Sequence, residues 1–442
     1  MHKLVGFVSL GCAKNRVNTE QMMYLLRQAG YTVSGETNGA DVVVLNTCGF
    51  VSSAKSEAID NILELAELKK NGAIRKLVVT GCLPQRHKDD ILDELPEIDA
   101  LVGTGSFDDI VSVVNALWDS KKDLSKLRRF GDISAAISES GRILSTSKVW
   151  AYLKIAEGCD NRCAYCCIPD IRGSFRSRKM ESILSEAEKL VESGVRELIL
   201  VAQDTTMYGL DLYGERKLTV LLRKLGAIEK LRWIRLLYLY PDEIDNELID
   251  EISKNDKIVK YLDIPIQHIS DSILLKMNRS GKSDEIRSLL KNLRRRISGL
   301  VLRTSVITGL PGEGDKEFNE LYEFLEEANI ERTGVFAYSP EEDTPAALME
   351  RPDEQLAEQR AEIIYQLGTD ILRNFDKSRI DTVTTVLTEA HDEPRSVKAR
   401  SFAEAPDVDG YIIVRGDNVK ADVFMDIRIT GIENGELVGE KI

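Results

Sequence analysis

Histidine is scarce in this chain, four in 442 residues, and that limits what its cysteines are for. A structural zinc site typically pairs C-x2-C knuckles with each other or with histidines; here there is no second knuckle. No apolar run approaches the ~18 residues that a membrane helix needs, so no membrane partner is expected. The start, M-H-K-L-V-G-F-V-S-L-G-C, lacks a small-residue cleavage site and runs directly into a strand-like pattern, so no signal peptide is read there. Low-complexity tracts and internal repeats are absent. A surplus of positive charge is missing too: the formal net charge is −14, whereas a general nucleic-acid binder is basic at least locally. The acidic balance hints at a basic partner. Seven cysteines, an odd number without export signals, argue for a reducing cytosol and a cytoplasmic location. At 43% hydrophobic and 30% charged residues, the composition is that of a soluble globular protein of about three domains.

Against that background three residues stand out: Cys159, Cys163 and Cys166, in C-D-N-R-C-A-Y-C. The spacing C-x3-C-x2-C places three thiolates on one short loop. They can grip three irons of a cubane cluster, whereas a complete 4Fe-4S site usually takes four cysteines. One iron is left without a protein ligand, an open position for chemistry. The alternative is small buried apolar cysteines, but such spacing outside a secreted context reads as metal or redox chemistry. Cys167 follows directly and reads as a packing residue or as a competing ligand. The run resembles the radical S-adenosylmethionine enzymes. That resemblance implies that the open iron binds the amino and carboxylate groups of S-adenosylmethionine. It further implies that an electron from the cluster breaks a carbon–sulfur bond and yields a 5′-deoxyadenosyl radical, while the protein positions the cofactor and excludes water.

Residues 1 to about 140 alternate short β-branched runs with amphipathic stretches. Runs 4–10, 42–46 and 77–80 read as buried parallel strands, and 17–29 and 53–69 as helices. This pattern predicts an open, doubly wound α/β sheet. Each strand ends in a cysteine, Cys12, Cys48 or Cys82. Sites in such sheets form outside the carboxyl ends of the strands, so the three are expected to converge. Gly11, Gly49 and Gly81 beside them would let backbone approach a bulky ligand. Three unrelated core cysteines are the alternative, and it requires a threefold accident at one sheet edge. V-G-T-G-S-F (102–107) matches phosphate motifs weakly and reads as a turn before a helix over 107–118. Together S-L-G-C-A-K-N-R-V-N-T-E, N-T-C-G-F-V and T-G-C-L-P-Q-R resemble the N-terminal domain of the methylthiotransferases. The resemblance implies that Cys12, Cys48 and Cys82 hold a second, auxiliary 4Fe-4S cluster associated with sulfur supply or delivery. Asn18 stands where that family commonly has an acidic residue, which leaves the cysteine ligation untouched.

Residues 121–147 are polar and read as a linker. From 148 to 372 six strand candidates (151–156, 197–202, 233–238, 261–266, 302–308, 335–338) alternate with helices such as 181–193, 243–253, 283–297 and 315–328. They suggest a partial (β/α)6 barrel, the radical S-adenosylmethionine core, with catalytic groups at the C-terminal strand ends. By resemblance, Tyr165 lies beside the adenine, although packing explains it equally well. Gln203 and Asp204 occupy the region where that family binds the methionine part of the cofactor, and T-G-L-P-G-E resembles the family's glycine turn, where Gly309 would let backbone approach the adenosine or simply makes a turn. Gln267 and His268 end the fourth strand; His268 reads as a proton donor or, more simply, a hydrogen-bonded wall residue. Arg172, Arg176 and Arg178 bind an acidic substrate group or are solvated surface charge.

Residues 375–442 change to five short strand candidates (382–388, 396–402, 411–415, 421–430, 436–440), an OB-like all-β barrel that resembles the TRAM domain. TRAM domains are often assigned RNA binding. This one holds nine Lys or Arg against fourteen Asp or Glu, poorly suited to neutralising phosphates and better suited to a basic protein. Direct nucleic-acid binding is therefore not expected to dominate. R-S-F-A-E-A-P-D-V-D-G-Y (400–411) resembles the methylthiotransferases acting on a ribosomal protein. The whole-chain resemblance implies methylthiolation of the β-carbon of one aspartate in ribosomal protein S-twelve, free or in the small subunit. It implies two clusters, two uses of S-adenosylmethionine and a reductant protein such as flavodoxin or ferredoxin. The alternative is the tRNA branch, acting on an adenosine.

Overall fold

The computed structural model describes residues 3–88, 90–118, 127–393 and 395–442. Residues 121–126 of the polar stretch thus lie outside the described residues. Strands β1 (Leu4–Ser9), β2 (Thr32–Ser34), β3 (Val42–Thr47), β4 (Lys76–Gly81), β5 (Ala100–Val102) and β6 (Leu127–Arg129) form one parallel sheet in the order β2-β1-β3-β4-β5-β6. The chain winds outward from β1 in both directions, the doubly wound arrangement expected. β3 is buried along its whole length, as a central strand covered on both faces must be. Leu127–Arg129 falls within the stretch read as linker, yet it pairs with β5. An edge strand needs only backbone partners on one side, so its polar L-R-R carries no apolar alternation to betray it. The rest of that stretch is a strap. Arg142 reaches Glu20 in the first helix (3.3 Å) and Glu186 in the central domain (3.0 Å), and Ser145 donates twice to Glu20.

The central domain adds β7 (Trp150–Lys154), the short pair β8 (Ala156–Glu157) and β9 (Arg176–Ser177), then β10 (Glu197–Val201), β11 (Trp233–Leu236), β12 (Ile258–Asp263), β13 (Val301–Thr308) and β14 (Arg332–Ala337). β7, β10, β11, β12, β13 and β14 lie side by side in chain order, all parallel, with β7 and β14 as free edges. This is the open half-barrel expected. The helix Glu354–Ser378, N-capped by Asp353 (2.8 Å to the Leu356 N–H), packs on β14 and runs unbroken through the position where the sequence reading ends the core. The C-terminal strands β15 (Val383–Glu393), β16 (Ser396–Arg400), β17 (Ile412–Arg415), β18 (Phe424–Glu433) and β19 (Glu436–Lys441) close into a barrel, β15-β16-β17-β19-β18.

The loop between β16 and β17 plugs the half-barrel. Ala403 and Ala405 share an apolar cluster with Tyr152, Ile199, Val201 and Tyr261 of the parallel strands. Tyr152 and Tyr261 hydroxyls donate to Asp407 (3.0 Å) and Asp409 (2.8 Å). Around the plug Glu197 receives both Arg235 and Arg400 at 2.8 Å, and Glu404 receives Arg332 and Arg379. Burial alone would raise the Glu404 carboxyl, but Arg379 and Arg332 outweigh it and hold it down to about 2. Such fully paired buried charges tolerate no missing partner, which ties the small barrel to the half-barrel in one register.

Candidate active site between two cysteine triads

The three strands that precede Cys12, Cys48 and Cys82 are immediate neighbours in the first sheet; Cys48 and Cys82 follow their strands directly, and Cys12 follows β1 after Leu10 and Gly11. The triad therefore forms at the carboxyl edge, as the topology predicts. Backbone crowding shows how closely the parts approach. A Cβ on Gly11 would lie 2.8 Å from the Cys48 Cβ, and one on Gly49 would lie 2.8 Å from Leu83 backbone. Gly81 has φ +102°, and a Cβ there would sit 2.4 Å from the Thr47 carbonyl; only glycine fits. Cys159, Cys163 and Cys166 occupy the loop after β7 and β8, at the carboxyl side of the half-barrel. Asn278 donates to the Arg162 carbonyl (2.9 Å), and the Ala164 N–H donates to the Met277 carbonyl (2.9 Å), so the loop is clamped from the opposite side of the domain.

All seven cysteines are free thiols. Cys167 is 3% exposed and packs with Cys82, Ile171 and Phe50, so it lies on the wall between the two triads. Burial pushes the Cys48 thiol up to about 12 and the Cys159 thiol to about 11. Cys12 is the exception: burial raises it, but Lys14 and Arg172 together carry it below the usual thiol range. Cations also face sulfur elsewhere. Arg172 Nη2 donates to Cys82 Sγ at 3.4 Å, and Arg279 Nη1 lies 3.7 Å from Cys163 Sγ. Buried guanidinium groups directed at sulfur suit thiolates carrying a metal group better than neutral core thiols. Among the described residues no three His, Cys, Asp or Glu converge on a point to ligate one ion. Three thiols at each place, with a guanidinium N–H directed at one sulfur of each set, are donors of the kind a 4Fe-4S cluster takes.

The remaining sequence-picked residues lie around the central triad with unequal freedom. The Tyr165 hydroxyl accepts from Arg279 (3.1 Å), and its ring joins an apolar cluster with Ile273 and Leu310. Asp204 accepts from Asn161 (2.8 Å) and from the Thr206 N–H and hydroxyl, so its carboxylate is spent holding the cysteine loop. Gln203 donates to Glu157 (2.8 Å), and its Oε1 is buried with no partner among the described residues. Gly309 has φ +73°, and its missing Cβ makes room for Ala357 at 2.2 Å. His268 accepts from the Ser270 N–H (3.0 Å) and faces Glu313 (3.3 Å), deep in the wall. Arg172 and Arg178 are not solvated surface charge: both are buried, Arg178 against Glu139, Glu186 and the Lys154 carbonyl.

Residues 4–103 match the family described as Uncharacterized protein family UPF0004, residues 153–325 the Radical SAM superfamily and residues 380–442 the TRAM domain. The ribosomal protein uS12 methylthiotransferase RimO of Acetivibrio thermocellus is 46% identical over all of this chain and 99% of its own length. The chain belongs to the RimO methylthiotransferase family. The RimO protein of Caldicellulosiruptor saccharolyticus is 45% identical over 99% of both chains. Among solved structures, the radical S-adenosylmethionine methyltransferase TsrM of Kitasatospora setae shares the fold, with a TM-score of 0.57 at 14% identity over 81% of this chain and 78% of that one. RimO family membership brings with it the radical S-adenosylmethionine transferase class, with a 4Fe-4S cluster and S-adenosylmethionine as its cofactors.

Sequence reasoning missed the buried polar network beside Cys82 that joins the first domain to the half-barrel. Lys154 donates to Glu157 (2.8 Å) and Asn18 (3.5 Å), and Arg172 donates to Glu157 (3.1 Å), Asn18 (3.3 Å) and Asn15. It also missed Arg279. One signal was available: Lys154 interrupts an otherwise apolar strand, and a charge there demands a buried partner.

Proposed function

We propose that this chain adds a methylthio group to the β-carbon of one aspartate in ribosomal protein uS12. Cys159, Cys163 and Cys166 would hold a 4Fe-4S cluster with S-adenosylmethionine on its open iron, and Cys12, Cys48 and Cys82 a second cluster. Bound there, the first cluster with S-adenosylmethionine would supply hydrogen-atom abstraction from carbon, and the second would take part in the supply or delivery of sulfur. The observation that carries this reading is the placement of two free-thiol triads, from two different sheets, on either side of one buried network containing Glu157 and Arg172. The chain's own residues orient and shield. Arg279, Asn161 and Asp204 hold the cysteine loop, and the unpartnered Gln203 Oε1 is an acceptor for the cofactor's ammonium group. The β-carbon C–H bond is too weakly acidic for side-chain bases, so no acid–base dyad is required. The acidic small barrel suits a basic protein substrate, met free or in the small subunit. No described helix is long and apolar enough to cross a membrane. A cytoplasmic setting with flavodoxin or ferredoxin as reductant completes the proposal.

The test is anaerobic turnover of reconstituted protein with reductant, S-adenosylmethionine and sulfide, offering either a peptide from the aspartate-bearing loop of uS12 or a tRNA. Mass spectrometry is expected to find one methylthio group on the peptide and none on the tRNA. Modification of the tRNA alone would move the substrate to the nucleic-acid branch. Absence of 5′-deoxyadenosine despite two intact clusters would count against the radical reaction.

A further inference from the structure

Arg172 ends the short helix Ile168–Arg172, which starts two residues after Cys166. Its side chain leaves its own domain and enters the other triad. Nη2 donates to Cys82 Sγ at 3.4 Å and to the side-chain amide oxygen of Asn15; Nη1 donates to Glu157 (3.1 Å) and Asn18 (3.3 Å). The group is 4% exposed. Lys14 and Lys154 are buried nearby, and Glu157 is the carboxylate that both Lys154 and Arg172 donate to, while Asn15 and Asn18 are neutral. Buried positive charge without compensation is costly. The compensating partner on hand is the sulfur side, where Arg172 already points.

We propose that Arg172 is a positioning residue that raises the reduction potential of the cluster on Cys12, Cys48 and Cys82 by donating an N–H to the Cys82 sulfur. This rests on the second-cluster reading above. The physical reason is charge. When the cluster accepts one electron no bond breaks, and its sulfurs become more negative. An N–H donor and a fixed cation beside them stabilise that state more than the oxidised one, and cluster potentials follow net charge and hydrogen bonds to sulfur. The residue belongs to the segment that carries the central triad, so any movement of that loop is felt at the other cluster. Glu157 acts oppositely, as the carboxylate that both Arg172 and Lys154 donate to.

The experiment is a redox titration of the full-length reconstituted chain, reduced stepwise with dithionite and followed by electron paramagnetic resonance. The auxiliary signal is assigned with a parallel full-length chain carrying C159A, C163A and C166A. Arg172→Gln is expected to lower the reduced-to-oxidised ratio at the wild-type midpoint by about tenfold, which is about 59 mV for one electron. Arg172→Lys restores part of that shift, and Glu157→Gln moves the midpoint upward. Midpoints that stay put, or that fall in both the Arg172→Gln and Glu157→Gln chains, overturn the proposal. If Arg172→Gln does not fold, the upward shift in Glu157→Gln and a smaller downward shift in Arg172→Lys decide it by sign. Iron for only one cluster in the wild-type chain refutes the ligand assignment and the inference with it; two clusters with unmoved potentials refute the role of Arg172 alone.

Discussion

The two cysteine triads are built in opposite ways. Cys159, Cys163 and Cys166 lie on one loop, and the rest of the half-barrel only steadies that loop through Asn278, Met277 and Asp204. Cys12, Cys48 and Cys82 are far apart in the chain and meet because β1, β3 and β4 are neighbours in register. The first arrangement is held by local backbone and survives small shifts of the sheet. The second depends on three strand ends and on Gly81, where no side chain fits. Each triad nonetheless has a buried arginine directed at one sulfur and supplied from outside it, Arg279 for Cys163 and Arg172 for Cys82.

The sharpest way to break this comparison is to remove one ligand from each side. Cys163→Ala is expected to abolish S-adenosylmethionine cleavage and product together. Cys48→Ala is expected to abolish methylthio transfer while 5′-deoxyadenosine is still released, and both variants lose one cluster's iron. Equal loss of cleavage in the two would show that the triads do not act separately. Next in size is Arg279→Gln, which strips Tyr165 and Cys163 of their donor. Outer-shell partners of metal ligands are typically worth about 10–100-fold in metal affinity or activity, and a loss in that range, with two clusters of iron retained, is the expected reading. The smallest effect is Gly81→Ala. The backbone conformation alone costs about 1–3 kcal/mol for a non-glycine residue, before the contact with Thr47. Calorimetry is expected to show a lower melting temperature and iron analysis a deficit confined to one cluster, with S-adenosylmethionine cleavage preserved.

Legibility in the sequence tracked range along the chain. The C-x3-C-x2-C loop was readable because its three cysteines lie within eight consecutive residues. The second triad was readable at one remove, since the strand runs and a topology rule bring Cys12, Cys48 and Cys82 together. β6 was not readable, because L-R-R has no apolar pattern and the backbone of β5 recruits it. Arg172 was read as a ligand for an acidic group or as surface charge, because its partners Asn15, Asn18 and Cys82 belong to another domain. Gly309 was read as letting backbone approach the adenosine or as a plain turn, and the structure adds that Ala357 of the long helix packs where its Cβ would be. The plug 401–411 was visible only as a resemblance; that it fills the half-barrel depends on Tyr152 and Tyr261 presenting hydroxyls to Asp407 and Asp409.

By itself, then, the sequence determined the three architectures and the RimO family, and it singled out the six cysteines as candidates, because hydrophobic period, turn chemistry and the position of a residue at a strand end are properties of neighbouring residues. Tertiary structure alone decided which charges face the sulfurs, how the small barrel locks onto the half-barrel and why Arg172 belongs to two sites at once. Those outcomes are electrostatic contacts between segments that share no local pattern. Burial in a low-dielectric interior selects them, by making every unpaired charge too costly to keep.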